Sequence, residues 1–286
     1  MNHATLITGA SSGIGLEFAK LFAKDGHNLV LVARNEDKLT TLKNELEKQY
    51  GIQVYTYKKD LSQKDSAYDI FNYTLEKELF IDILINNAGF GDFGKFAELD
   101  LQKQTDMVQV NITSLMQLCH YYLNPMLENK CGKILNIASI AAFQAGPLMS
   151  IYYATKAFVL SFSEALSVEL KGSGVSVMAL CPGPTNTEFK ERANLEKSGL
   201  FKNIKNSTAK EVAKYGYKKL QTKGTVFIPG IMNKIIVSSS KFSPRKIVTH
   251  SVYHIQNKYY NINIYFSKKF SNIKGCIKND TPFQVI

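Results

Sequence analysis

Thr8-Gly9-Ala10-Ser11-Ser12-Gly13-Ile14-Gly15 stands between an apolar run, Thr5–Thr8, and a stretch from Gly15 to Asp25 where Leu16, Phe18, Ala19, Phe22 and Ala23 recur at helical spacing. A strand, a glycine-rich turn and a helix in that order form the βα corner where a doubly wound fold holds a dinucleotide pyrophosphate. Glycines let the backbone turn tightly and approach phosphate oxygens, and the helix N-terminus offers unpaired N–H groups. Gly9, Gly13 and Gly15 follow GxxxGxG spacing rather than GxGxxG, so the flanking strand and helix supply the context that a bare motif lacks. Gly9, Ser11, Ser12, Gly13, Ile14 and Gly15 are the candidate phosphate contacts.

Outward from this turn, apolar β-type runs alternate with amphipathic stretches. Strands are expected at Asn28–Ala33, Gln53–Lys58, Ile81–Ile85, Gly132–Ala138 and Val175–Cys181, and helices at Glu36–Tyr50, Gln63–Glu78, Leu101–Asn124 and Tyr152–Lys171. Strands separated by helix-length segments imply a parallel sheet with right-handed crossovers. Nearly continuous apolar strands imply a sheet covered on both faces. The expectation is one α/β domain, a Rossmann-type doubly wound parallel sheet of about seven strands, over residues 1–230. A lid is expected near 187–209, where Phe189, Leu195, Leu200 and Phe201 lie among polar residues. Residues 231–258 read as one or two basic amphipathic helices packed on the domain, and 259–286 as a flexible tail.

Of 286 residues, 45% are hydrophobic and 21% charged, with 18 Gly and 7 Pro, which excludes wholly disordered, collagen-like and low-complexity classes. The net charge of +11 is uneven: residues 1–190 carry 17 Lys/Arg against 20 Asp/Glu, and residues 191–286 carry 18 against 4. Such an end attracts anions, and a solvated tail is its plainest reading. Cys119, Cys131, Cys181 and Cys276 show no metal-ligand spacing, so no metal site is expected and the thiols read as buried in a reducing compartment. With no secretory signal and no spanning-length apolar run, a cytoplasmic protein is expected.

Arg34 ends the second strand, nineteen residues after Gly15, where a protein binding NAD carries an acid for the ribose 2′-hydroxyl. A guanidinium pairs bidentately with a 2′-phosphate instead, so NADP(H) is the expected cofactor. Tyr152 and Lys156 lie four apart at the start of a helix, on one face. A neighbouring ammonium favours the phenolate, which would bring Tyr152 into range as a general acid or base. Ser139, thirteen residues earlier at the carboxyl end of a strand, could hold a carbonyl oxygen or merely cap a helix. Tyr153 reads as packing beside the site.

Together these residues resemble the short-chain dehydrogenase/reductase family over about residues 1–230. The resemblance rests on TGASSGIG at 8–15, Asp60-Leu61, Asn86-Asn87-Ala88-Gly89, Asn111, Ser139, Tyr152-Tyr153-Ala154-Thr155-Lys156 and Pro182-Gly183-Pro184-Thr185-Asn186-Thr187. Within the family the wording is similar to bacterial reductases related to 3-oxoacyl and 17β-hydroxysteroid reductases. It implies Asn111, Ser139, Tyr152 and Lys156 as a catalytic tetrad, in which Tyr152 gives a proton to a carbonyl, Lys156 also holds the nicotinamide ribose, and Asn111 anchors a water. It further implies that Asp60 and Leu61 meet adenine, that Asn87, Ala88 and Gly89 line its ribose, and that Pro182, Gly183, Thr185 and Thr187 meet the carboxamide. The implied activity is NADP(H)-dependent interconversion of a ketone or aldehyde and an alcohol, on a hydrophobic small molecule, by a homo-oligomer with no nucleic-acid partner.

Two other readings compete. A nucleotide-sensing regulatory protein could keep the fold without turnover, although the intact tetrad argues against it. Peripheral membrane contact could arise where Lys234, Lys241, Arg245 and Lys246 interleave with Ile231, Ile235, Ile236, Val237, Phe242, Ile247 and Val248, and packing on the domain is the plainer expectation for that stretch.

Overall fold

Side chains along the strands alternate between two apolar clusters, which is why the strands read as continuous hydrophobic runs. Leu6, Val30, Val32, Leu84, Ile134 and Val177 face one cluster, closed by Ile70, Leu118, Tyr122 and Val159. Their neighbours Ile7, Leu29, Leu31, Ile85, Leu135 and Met178 face the other, closed by Phe18, Phe22, Leu39, Leu46 and Val212. Each fully buried side chain of this size stabilises the fold by about 1.5–3 kcal/mol.

The structure, a computed structural model, describes residues 2–195 and 206–257. The elements in chain order are β1 (Asn2–Thr8), α1 (Gly13–Lys24), β2 (Asn28–Ala33), α2 (Glu36–Tyr50), β3 (Val54–Lys58), α3 (Ser66–Glu76), β4 (Leu79–Asn86), α4 (Leu101–Val108), α5 (Leu115–Glu128) and β5 (Gly132–Ile137). There follow α6 (Ser150–Glu169), β6 (Val175–Leu180), β7 (Thr185–Asn186), α7 (Phe189–Arg192), β8 (Ser207–Thr208), α8 (Ala209–Lys219), β9 (Val226–Phe227), α9 (Ile231–Phe242) and α10 (Arg245–Asn257). The main sheet is seven-stranded in the order β3-β2-β1-β4-β5-β6-β9, with every pair parallel. β7 and β8 form a separate two-stranded ribbon. This is the doubly wound Rossmann-type sheet, and its order reverses between β1 and β4, the switch point where such folds bind ligands.

Several boundaries differ from the sequence reading for identifiable reasons. β1 begins at Asn2 rather than Thr5, because Asn2 and His3 pair with Leu79 and Phe80. The single helix expected over Leu101–Asn124 is interrupted by a π-helical turn, Gln109–Ser114, between α4 and α5. α5 continues through Pro125 to Glu128, past the expected stop. The seventh strand, β9, has two residues, Val226 and Phe227, too short to leave a periodic signal. Cys131 is exposed, whereas Cys119 and Cys181 are buried as expected.

The C-terminal helices are two, joined at Ser243-Pro244, and their inner sides bury Val237, Val252 and Gln256. The expected lid lies in part, at 196–205 with Leu200 and Phe201, outside the described residues. So do Lys258, Cys276 and the expected tail at 259–286.

Candidate active site

A single cavity of about 790 Å³ runs from the glycine turn past the carboxyl ends of β2, β4, β5 and β6. One end is built by the turn itself. Gly9 and Gly13 adopt φ +65° and +56°, which side chains rarely tolerate. A Cβ on Gly15 would stand 2.3 Å from the Gly9 carbonyl oxygen, so the helix can start this close to the strand only as glycine. Gly9, Ser11, Ser12, Gly13 and Ile14 line the cavity. Gly15 does not, and its role is the close approach beneath the turn.

The turn is fastened to the end of β4. The Asn87 and Ala88 backbone N–H groups both donate to Thr8 Oγ1 at 3.0 Å, and Asn87 Nδ2 donates to the carbonyls of Thr8 (2.9 Å) and Gly9 (3.2 Å). Asn87, Ala88 and Gly89 line the cavity as expected, but the Asn87 amide is spent on the scaffold. At the far mouth, Arg34 Nη1 lies 3.8 Å from Asp60 Oδ2, with 64% of the arginine side chain exposed. Asp60 also accepts from the Ser62 backbone N–H and hydroxyl at 3.0 and 2.9 Å. Arg34, Asp60 and Leu61 all border the cavity. Asn35, beside Arg34, caps α2 by accepting the Lys38 N–H at 2.8 Å.

At the other end, Ser139, Tyr152 and Lys156 share one wall. Ser139 Oγ accepts the Ala141 N–H at 3.1 Å, capping a 3₁₀ turn as one of its two readings expected, and the residue borders the cavity beside Tyr152. Lys156 Nζ is buried, donates to the Ile137 carbonyl at 2.8 Å and stands 5.8 Å from the centre of the Tyr152 ring. Burial lowers its pKa from 10.5 to about 8, and the nearby Cys181 opposes that shift. Burial raises the Tyr152 phenol to about 12, with hydrogen bonding to Ser139 opposing it. This corrects the expected lowering by Lys156: desolvation of the phenolate wins, and the lysine directs its hydrogen bond to the β5 carbonyl.

Asn111 lies behind the wall, outside the cavity lining, in the π turn. Its Nδ2 donates to the Phe90 carbonyl (2.9 Å) and Thr155 Oγ1 (3.1 Å), and its Oδ1 accepts the Phe90 N–H at 3.1 Å. It thereby ties the loop after β4 to α6. Pro182, Gly183, Thr185 and Thr187 line the cavity after β6. A Cβ on Gly13 would be 3.2 Å from Thr187 Cγ2, so this segment lies directly against the glycine turn. The Phe189 ring meets the Tyr152 ring at 5.4 Å, tilted 50°.

Other residues position the site, and of these Asn136, Ser163, Asp92, Lys103, Gln104, Asn194 and Gln256 escaped the sequence reading. Asn86 Nδ2 donates to Asn136 Oδ1 and Asn136 Nδ2 to Ser163 Oγ, each at 2.9 Å, linking β4, β5 and α6 beneath the catalytic wall. Asp92, buried at 3% exposure, accepts from Lys103 Nζ (2.7 Å), Gln104 Nε2 (3.0 Å) and Asn194 Nδ2 (3.2 Å). Tyr153 packs beside the site as expected and accepts from Gln256 Nε2 at 3.1 Å. α9 and α10 close the substrate end with Asn233, Ile236, Val252 and Ile255. For the missed polar residues the advance signal was a polar side chain within or beside an apolar run, as at Asn136 in GKILNI.

The family model for short chain dehydrogenases matches residues 3–198. Among curated relatives, a very-long-chain 3-oxoacyl-CoA reductase of Anas platyrhynchos is 36% identical over 181 residues, 62% of this chain and 58% of that protein. The chain thus spans little over half of that relative's length. A 3-oxoacyl-[acyl-carrier-protein] reductase of Chlamydia muridarum is 30% identical over 212 residues, 74% of this chain and 83% of that protein. Among solved structures, a short-chain dehydrogenase from Sphingobium yanoikuyae in complex with NADPH superposes with a TM-score of 0.74 at 32% identity, covering 85% of this chain and 94% of that one. A family match over more than half the chain agrees with the strand order and the glycine turn, and the chain belongs to the short-chain dehydrogenase family of oxidoreductases.

Proposed function

We propose that the protein is an NADP(H)-dependent reductase of a hydrophobic ketone or aldehyde. One observation carries this reading: the Tyr152 phenol, kept protonated through neutral pH, shares a cavity wall with Ser139 and Lys156, continuous with the glycine turn. The turn fits a dinucleotide, since Gly9, Ser11, Ser12, Gly13 and Ile14 line the cavity where α1 begins, and a Cβ at Gly9 or Gly15 would strike the scaffold that holds the turn. Bound there, a reduced nicotinamide supplies the hydride that adds to a carbonyl carbon.

The chain's own residues do the rest. Tyr152, protonated at neutral pH, donates its proton to the carbonyl oxygen as the hydride arrives. The Ser139 hydroxyl polarises the same oxygen. Lys156, protonated below pH of about 8, holds the ribose hydroxyls of the cofactor. Arg34 pairs with the 2′-phosphate in place of its long contact to Asp60. The segment 187–195 and the inner side chains Ile236, Val252 and Ile255 of α9 and α10 surround the substrate. Self-association as a homo-oligomer belongs to this reading, with the exposed Leu101, Val108 and Met116 of α4 and α5 as its surface.

Tyr152→Phe tests the assignment, because the ring stays and only the transferable proton goes. Turnover of a ketone should fall by about 10²–10⁴-fold while NADPH still titrates with near wild-type affinity. Wild-type turnover in this variant would remove Tyr152 from the chemistry and favour the nucleotide-sensing reading.

A further inference from the structure

α9 and α10 have two apolar sides. Inward, Ile236, Val252 and Ile255 border the cavity. Outward, Ile231, Ile235 and Phe242 follow i, i+4, i+11 spacing on one helical face, with Ile231 79% and Phe242 90% exposed, and Ile247 lies 60% exposed on α10. Lys234, Arg245 and Lys246 are exposed beside them. Residues 231–257 contain no Asp or Glu, and the 29 residues after Asn257 add five Lys against Asp280 alone. Ile255 lines the cavity and is also 52% exposed, so the cavity wall and the outer surface meet at that side chain.

We propose that α9 and α10 seat this protein on an anionic lipid surface. Charge decides the occupant. A second copy of the chain joined by a two-fold axis would set this patch against itself, basic on basic with no acid to pair. A nucleic acid would take the cations and leave Ile231 and Phe242 in water. An anionic bilayer takes both at once, lipid headgroups against the cations and acyl chains against the apolar face. No helix among the described residues is long and apolar enough to cross a membrane, so the contact is one of lying on the surface. Joined to the reductase reading, on which this step alone rests, the placement names a substrate class: a lipophilic carbonyl compound dissolved in that surface, which enters at Ile255.

Co-sedimentation of the full chain with phosphatidylcholine vesicles, with and without phosphatidylglycerol, is the test. Binding is expected only with phosphatidylglycerol, and should fade between about 0.05 and 0.5 M salt as exposed charges are screened. The triple variant Lys234→Gln, Arg245→Gln, Lys246→Gln should lower partitioning by on the order of 100-fold. Ile231→Ser with Phe242→Ser should lower it independently, while both variants keep wild-type NADPH affinity and turnover of a water-soluble ketone. Absence of binding, equal binding to neutral vesicles, or unchanged binding in both variants would overturn the proposal, the last by assigning attachment to residues 258–286. RNA or polyglutamate that is held as tightly as the vesicles, with the serine variant unaffected, would overturn it too. Vesicle binding without turnover of any ketone would leave the lipid surface standing and remove the reductase reading instead.

Discussion

Arg34 meets Asp60 at 3.8 Å with most of its side chain in solvent, a contact worth little in water. Its guanidinium is therefore free to turn to a 2′-phosphate, whose charge-assisted bidentate contact is worth about 1.5–3 kcal/mol. Arg34→Asp should reverse the preference for NADPH over NADH, with a swing of roughly 10–150-fold in the ratio of dissociation constants. Equal constants in the unmodified protein would exclude the role. Lys156 adds a pH dependence whose sign follows from its lowered pKa. The ammonium is present below about pH 8 and lost above it, so kcat/KM for NADPH, which reads the free enzyme, should drop about tenfold per unit beyond that point. A rate constant flat to about pH 10 would show that the charge is not used. Stability moves oppositely: between pH of about 8 and 10.5 the unfolded chain holds the proton that native Lys156 has released, so this group's contribution to stability rises with pH there. The identity of these residues was legible because type and spacing carry it. The raised pKa of Tyr152 was not, because it comes from walls contributed by distant segments.

Among the elements, α7 depends on a buried carboxylate, Asp92, which lies 102 positions before its partner Asn194. Asp92 holds Asn194 at the end of that helix while Lys103 and Gln104 hold Asp92 from α4. Asp92→Ala leaves three donors without their acceptor, which costs about 1–3 kcal/mol for a buried polar group. The expected outcome is a lower urea midpoint and a KM for the carbonyl substrate raised about tenfold, a cost of about 1.4 kcal/mol, with NADPH affinity unchanged because Asp92 touches no residue of the glycine turn. An unchanged KM would leave Asp92 a purely structural group. Periodicity showed α4 and α5 as one helix since both turn the same apolar side inward. The π turn between them follows from Asn111, whose amide satisfies both polar groups of Phe90, and nothing in the local pattern of residues 101–124 announces a partner at 90. The outer stripe of α9 had the opposite fate. Its apolar residues read as packing, yet Ile231, Ile235 and Phe242 stay exposed, because an amphipathic pattern reports that a face is apolar and not what lies against it.

Across the whole molecule, the parallel sheet was legible because five of its strands are largely buried runs of six to eight residues, with VYTYK at the edge burying only Val54. β9 was not, since Ala179 with Val226 and Leu180 with Phe227 are its entire register. The fastening of the glycine turn to β4 has a consequence in time. Thr8 is tied by Asn87, a partner 79 positions later, and β1 lies between β2 and β4, both made after it. During synthesis at about 5–20 residues per second, the phosphate-binding corner therefore waits several seconds before it can lock. A nascent chain halted before residue 87 carries the complete TGASSGIG sequence and cannot yet hold a nucleotide with it.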